Sequence, residues 1–189
     1  MQNNLASLYS DISLLINKTS NKHNIKNGLY IVSTPIGNLK DITIRALEIL
    51  INSDIIICEN NKNSLRLLNS FNITNKKIIT YNDHSTEKQR SAILDLVNKK
   101  DAIISLISDA GTPLISDPGY KLVNHIYDNQ ETDNNSTHNS YNIINDRNNI
   151  IDISPGACSI IAALSLSGAC TDKFTFSGFV PKKTGKLSF

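Results

Sequence analysis

The residues that could do chemistry in this chain gather at three short turns. One reads SDAGTPLISDPG (108–119) and sets two aspartates and two glycines directly behind the apolar run 102–107. The others are Thr34-Pro35-Ile36-Gly37-Asn38 and Ser154-Pro155-Gly156-Ala157, each again behind an apolar run. Glycine lets backbone pass close to a ligand, and free N–H groups at helix starts favour polar or anionic groups. A carboxylate such as Asp109 accepts from a ribose hydroxyl or an amine. Any one such turn is an ordinary strand-to-helix connection. Three converging on one sheet edge describe a small-molecule cleft without naming its ligand. Two further groups suit proton transfer: Glu59 at the end of the apolar run 54–58, and His84 just after the run 77–81. Against each stands a plainer role, a carboxylate at a helix start for Glu59 and a polar loop side chain for His84.

Several chemistries are absent from the pattern. No G-x-x-x-x-G-K-[ST] P-loop is present, no G-x-G-x-x-G follows the first strand-like run, and there is no G-x-S-x-G elbow. Cys58, Cys158 and Cys170 form no C-x-x-C pair, so no metal site is expected; their apolar neighbours suggest buried thiols in a reducing compartment. A net charge of +2 excludes a broadly basic nucleic-acid binder. No apolar run reaches about 18 residues and no secretory signal opens the chain, so a cytoplasmic protein without a membrane anchor is expected.

The elements that must position these turns are short. Strands are expected at 29–33, 54–58, 77–81, 102–107 and 150–153, with a last one at 174–176. Between them the apolar spacing predicts helices from 41 or 43 to 52, 64–71, 86–99, 119–127 and 157–166. The strand runs are nearly unbroken Ile, Val and Leu, which implies burial on both faces. That pattern predicts an α/β fold, a mainly parallel sheet flanked by helices, with ligands at the carboxyl ends of the strands. Residues 1–27 read as a polar extension and 129–149 as a low-complexity loop insertion. The main domain then runs 28–180.

Three segments, LYIVSTPIGNLKDITIRALEIL, SLISDAGTPLISDPGYKLV and ISPGACSIIAALSLSGACTDKFTFSGFVPKK, closely resemble the RsmI-type enzymes of the tetrapyrrole methylase superfamily. The resemblance covers roughly 28–183 outside the insertion. It implies a methyltransferase that uses S-adenosyl-L-methionine to methylate the ribose 2′-hydroxyl of a cytidine in 16S ribosomal RNA of the small subunit. It also implies a homodimer of two-domain chains with the cofactor between the domains. This chain would then be the tetrapyrrole methylase N-terminal domain, with 181–189 the start of a second α/β domain that is largely missing, as a fragment or a truncated gene.

Carried over by motif, Pro35, Gly37 and Asn38 face the cleft, and Ser108, Asp109, Ala110, Gly111, Thr112 and Pro113 line the cofactor side. Asp117, Pro118 and Gly119 continue that wall, and Pro155, Gly156 and Ala157 open the helix after the fifth strand. One motif departs: the family's Ala-Glu-Asp-Thr-Arg is here Cys58-Glu59-Asn60-Asn61-Lys62. Asn is no base, and Lys lacks the guanidinium fork, so an inactive remnant is the rival reading. A tetrapyrrole methyltransferase is another, disfavoured because those enzymes carry a more glycine-rich first loop.

Overall fold

The computed structural model describes residues 25–99, 101–131 and 151–179. Among the described residues five strands form one sheet: β1 Gly28–Val32, β2 Ile55–Cys58, β3 Lys77–Thr80, β4 Ile103–Ile107 and β5 Ile151–Ser154. Their order is β3-β2-β4-β1-β5, and all four pairings are parallel. Successive side chains of a strand point to opposite faces, so each strand feeds two layers. On one face Tyr30, Val32, Ile56 and Cys58 pack with Leu47 and Leu50 of helix α1 (Ile44–Asn52) and Leu68 of α2 (Asn61–Ser70). On the other, Leu29, Ile57, Ile104 and Leu106 pack with Ile93 and Val97 of α3 (Glu87–Asn98) and Leu122 and Ile126 of α4 (Tyr120–Glu131). The expected α/β layering is what the chain adopts.

The helix starts are fixed by local chemistry. Thr43 accepts the Ala46 N–H at α1. Thr86 and Gln89 form a reciprocal capping box at α3. At α2 the cap is Asn60, whose side chain accepts the N–H groups of Lys62 and Asn63. The helix therefore begins three residues earlier than its apolar spacing alone suggests. The neutral amide at position 60 also has a structural task that asparagine performs as well as aspartate. At its other end α1 stops at Ser53, and the half-buried Lys76 ammonium donates to the carbonyls of Ile51 (2.5 Å) and Ser53 (2.9 Å).

Other expectations are corrected. Residues 129–131, assigned to the insertion, continue α4 to Glu131. Residues 174–176 form no strand: β5 is an edge of the sheet, and among the described residues no partner ladder reaches them. Of the three cysteines only Cys58 is buried, and Cys170 is exposed. Ile25 packs against the first core layer, and the Lys26 carbonyl accepts from the Tyr30 hydroxyl at 2.8 Å, so the end of the polar extension is tied down. The rest of that extension (1–24), most of the insertion (132–149) and the segment 181–189 lie outside the described residues. Helix α5 (Ser159–Leu166) is apolar along its length yet buries no side chain, and Ile161, Leu166, Phe174, Phe176 and Phe179 are all exposed.

Asn60→Asp should leave stability within a few tenths of a kcal/mol, whereas Asn60→Ala should cost about 1 kcal/mol. Urea unfolding of the three proteins checks this directly.

Candidate functional site

The connections out of β2 and β4 leave the sheet in opposite directions: β2 leads outward to β3, and β4 leads across β1 to β5. A crevice opens at such a switch point, outside the carboxyl ends of the strands. Glu59 follows β2 and Ser108-Asp109 follow β4, so the two stand on either side of it.

Beside the crevice, the three glycine turns are pinned together. Thr34 and Gly111 form an antiparallel bridge, with N–H···O distances of 2.8 and 3.1 Å. The Thr34 hydroxyl donates to the Ser108 carbonyl at 3.3 Å. The Thr112 hydroxyl donates to the Ala157 carbonyl at 3.3 Å. Its single proton is thereby used, so the Ser33 hydroxyl, 3.0 Å away, donates to Thr112. Glycine is favoured at two of these positions. Gly111 holds φ +83°, and a Cβ there would lie 3.3 Å from Ile36 Cγ2. A Cβ on Gly156 would lie 3.0 Å from the Ser33 Cβ. Further along the long turn, Leu114 (φ 75°) and Ser116 (φ 60°) adopt left-handed conformations without being glycine. Such strain persists only where surrounding structure imposes it, and it collects at functional sites.

The crevice itself is acidic. Glu59, Asn60, Asn82, Asp83, His84, Asp109 and Pro118 line a cleft of about 250 Å³. A second hollow of about 210 Å³ adjoins it, lined by Tyr81, Arg90, Asp117 and Tyr120 among others and sharing Asn82, Asp83 and Pro118. Burial raises the Glu59 carboxyl above the ordinary carboxylate range, and the charges of Asp109, Asp117 and Asp83 add to it; the Asp109 main-chain N–H pulls the other way. Asp117 is raised by burial too, opposed by a hydrogen bond from Ser108 and supported by the charges of Asp109 and Asp83. Among the described residues, no group of three or more His, Cys, Asp and Glu side chains is arranged to hold a metal ion.

The sequence-derived site residues thus fall into two groups. Pro35, Gly37, Gly111, Thr112, Gly156 and Ala157 belong to the knot of turns. Glu59, His84, Asp109 and Pro118 line the acidic cleft. Ser108, Ala110 and Gly111 run from one to the other. Pro113 and Gly119 are buried in the long turn, and Pro155 is exposed at the end of β5. The Asn38 side chain is engaged locally, accepting the Lys40 N–H at 3.1 Å to cap the 3₁₀ turn Leu39–Asp41. Sequence reasoning missed Asn63. Its side-chain amide donates to Asp109 Oδ2 at 2.6 Å across the crevice, and nothing in its Asn-rich surroundings marks it out.

The raised Glu59 carboxyl has a consequence for stability. Where the folded pKa exceeds the unfolded one, the folded state binds the extra proton. Stability then falls as pH climbs from the ordinary carboxylate range through the raised value. Glu59→Gln removes this cost. The variant should melt above the parent at neutral pH, with the gap closing in acid, where Glu59 is itself protonated. Thermal melts across pH read the difference.

Residues 28–187 match the family model described as Tetrapyrrole (Corrin/Porphyrin) Methylases. The chain is 49% identical over 158 residues to the ribosomal RNA small subunit methyltransferase I of Rickettsia prowazekii (strain Madrid E), a match covering 84% of this chain and 49% of that protein. Against the protein of the same name from Mesomycoplasma conjunctivae it is 43% identical over 157 residues (83% and 58%). Against that of Vibrio cholerae it is 40% identical over 171 residues (88% and 51%). The chain spans about half the length of the curated relatives it matches. With the parallel sheet, the switch-point crevice and these matches together, the chain belongs to the tetrapyrrole methylase family of methyltransferases.

Proposed function

We propose that the crevice methylates the ribose 2′-hydroxyl of a cytidine in 16S ribosomal RNA of the small subunit, with S-adenosyl-L-methionine as donor. The observation that carries this is the junction of two unlike surfaces, a knot of glycine turns with exposed backbone and a cleft ringed by carboxylates. Relatives named for small-subunit ribosomal RNA support the substrate.

The residues present suit the cofactor. Gly37 stands at φ +144° with nothing within 4 Å of where a Cβ would be, so a ligand meets bare backbone there. Asp109 offers acceptors for ribose hydroxyls. Glu59, Asp83, Asp109 and Asp117 create a negative field that complements a sulfonium cation. When bound, the cofactor supplies an electrophilic methyl group aligned for in-line displacement. The chain's own residues do the rest. The turns hold the donor side in place, and proximity and orientation supply much of the rate. Glu59 takes the proton from the ribose hydroxyl; its raised affinity for that proton makes it a better base than an ordinary carboxylate. His84 lines the same cleft and contacts the nucleotide. The same carboxylates repel phosphate, so the RNA backbone runs outside the cleft. The exposed apolar side chains of α5 and 174–179 offer a surface for a second chain in a cytoplasmic homodimer. No described helix is long and apolar enough to cross a membrane.

The test is methyl transfer from labelled S-adenosylmethionine to small ribosomal subunits, with the product nucleoside identified by mass spectrometry. The expected product is 2′-O-methylcytidine, formed at a rate that rises with pH through a value above the ordinary carboxylate range. Glu59→Gln should lose about 100-fold or more, and His84→Ala far less. A methyl group on a base atom, or full activity in Glu59→Gln, contradicts the reading. No transfer by a chain shown to be folded favours an inactive remnant.

A further inference from the structure

We propose that Asn63 is a positioning residue, holding the Asp109 loop in place across the β2/β4 crevice. The inference rests on the reading of that crevice as the methyl-transfer site. Asn63 lies in the first turn of α2, where its own N–H is held by the Asn60 side chain. The cap thus fixes the donor before the donor fixes its target. From there the side-chain amide reaches Asp109 Oδ2 at 2.6 Å, a contact between segments 46 residues apart in sequence.

The loop needs such a tether. On one side of Asp109, the Ser108 carbonyl is held by the Thr34 hydroxyl; on the other, Gly111 is held by the Thr34 backbone. Asp109 and Ala110 between them are exposed. The Asp109 main-chain N–H is held by Glu59 and the Ala110 carbonyl by the Ser108 hydroxyl, but the Asp109 carboxylate itself faces the like charges of Glu59 and Asp117. A neutral donor is the suitable restraint. A lysine at 63 would also hold Asp109, but it would cancel the negative field that the cleft presents. The amide holds the carboxylate and leaves its charge intact.

The account separates holding from charge, and so does its test. Asn63→Ala should raise the mobility of Asp109 and Ala110, lowering their backbone ¹⁵N order parameters from about 0.85 to below about 0.6. Both partners are exposed, so the melting temperature should move by less than about 2 °C. Affinity for S-adenosylhomocysteine should fall about tenfold, the cost of ordering about one freed backbone residue on binding. The exchanged pair, Asn63→Asp with Asp109→Asn, rebuilds the bond with donor and acceptor reversed. It should restore the order parameters in full, and the affinity only in part, because the charge has moved. If the order parameters respond in this way but S-adenosylhomocysteine binds neither parent nor variants, the tether stands and the methyl-transfer reading of the cleft falls. If Asp109 and Ala110 stay as rigid in Asn63→Ala as in the parent, the inference is wrong whatever binds.

Discussion

The Thr34–Gly111 bridge is the constraint on which the site depends. A parallel sheet brings strand ends to one edge but leaves the loops beyond them free to diverge. Here two backbone hydrogen bonds lock the turn after β1 to the turn after β4. Gly111 meets Thr34 there in a left-handed conformation that other residues adopt only under strain, and it sits close against Ile36. Thr112 then extends the lock to the turn after β5 through Ala157. Three loops from strands β4, β1 and β5, neighbours in the sheet, behave as one surface. Ser108 and Asp109 carry that surface to the edge of the β2/β4 crevice.

The crevice is held against its own electrostatics. Glu59, Asp83, Asp109 and Asp117 face one another closely enough that burial and mutual repulsion raise two of them. Like charges in a half-buried cleft weaken the fold at neutral pH. A protein keeps such an arrangement where the field itself is useful, as beside a cation or a proton in transfer. The left-handed Leu114 and Ser116 add backbone strain in the same turn. The cost is met elsewhere, by two well-filled core layers and by capped helices whose first turns adjoin the crevice.

Much of this was legible in the chain. Unbroken runs such as Ile55-Ile56-Ile57 admit few readings other than a strand buried on both faces. The glycine turns behind them point to a candidate site at the carboxyl edge. The misses have local causes. Phe174-Thr175-Phe176 has the composition of a strand, but a strand needs a partner edge, which no single segment reveals. Asn60 caps α2, a role that residue type alone does not separate from a place in a catalytic motif. Asn63 was invisible because its contact spans 46 positions in sequence. The division of the site into a glycine knot and an acidic cleft follows from strand order, which alternating elements do not specify.

The most direct measurement is a map of backbone amide shifts in the isotope-labelled chain as S-adenosylmethionine is added. The account predicts saturable shifts concentrated at Gly37, at Asp109, Ala110 and Gly111, and at Ala157, with smaller ones at Glu59. A folded chain whose shifts stay unchanged there, or move only at Ile161, Leu166 and Phe174–Phe179, would contradict it.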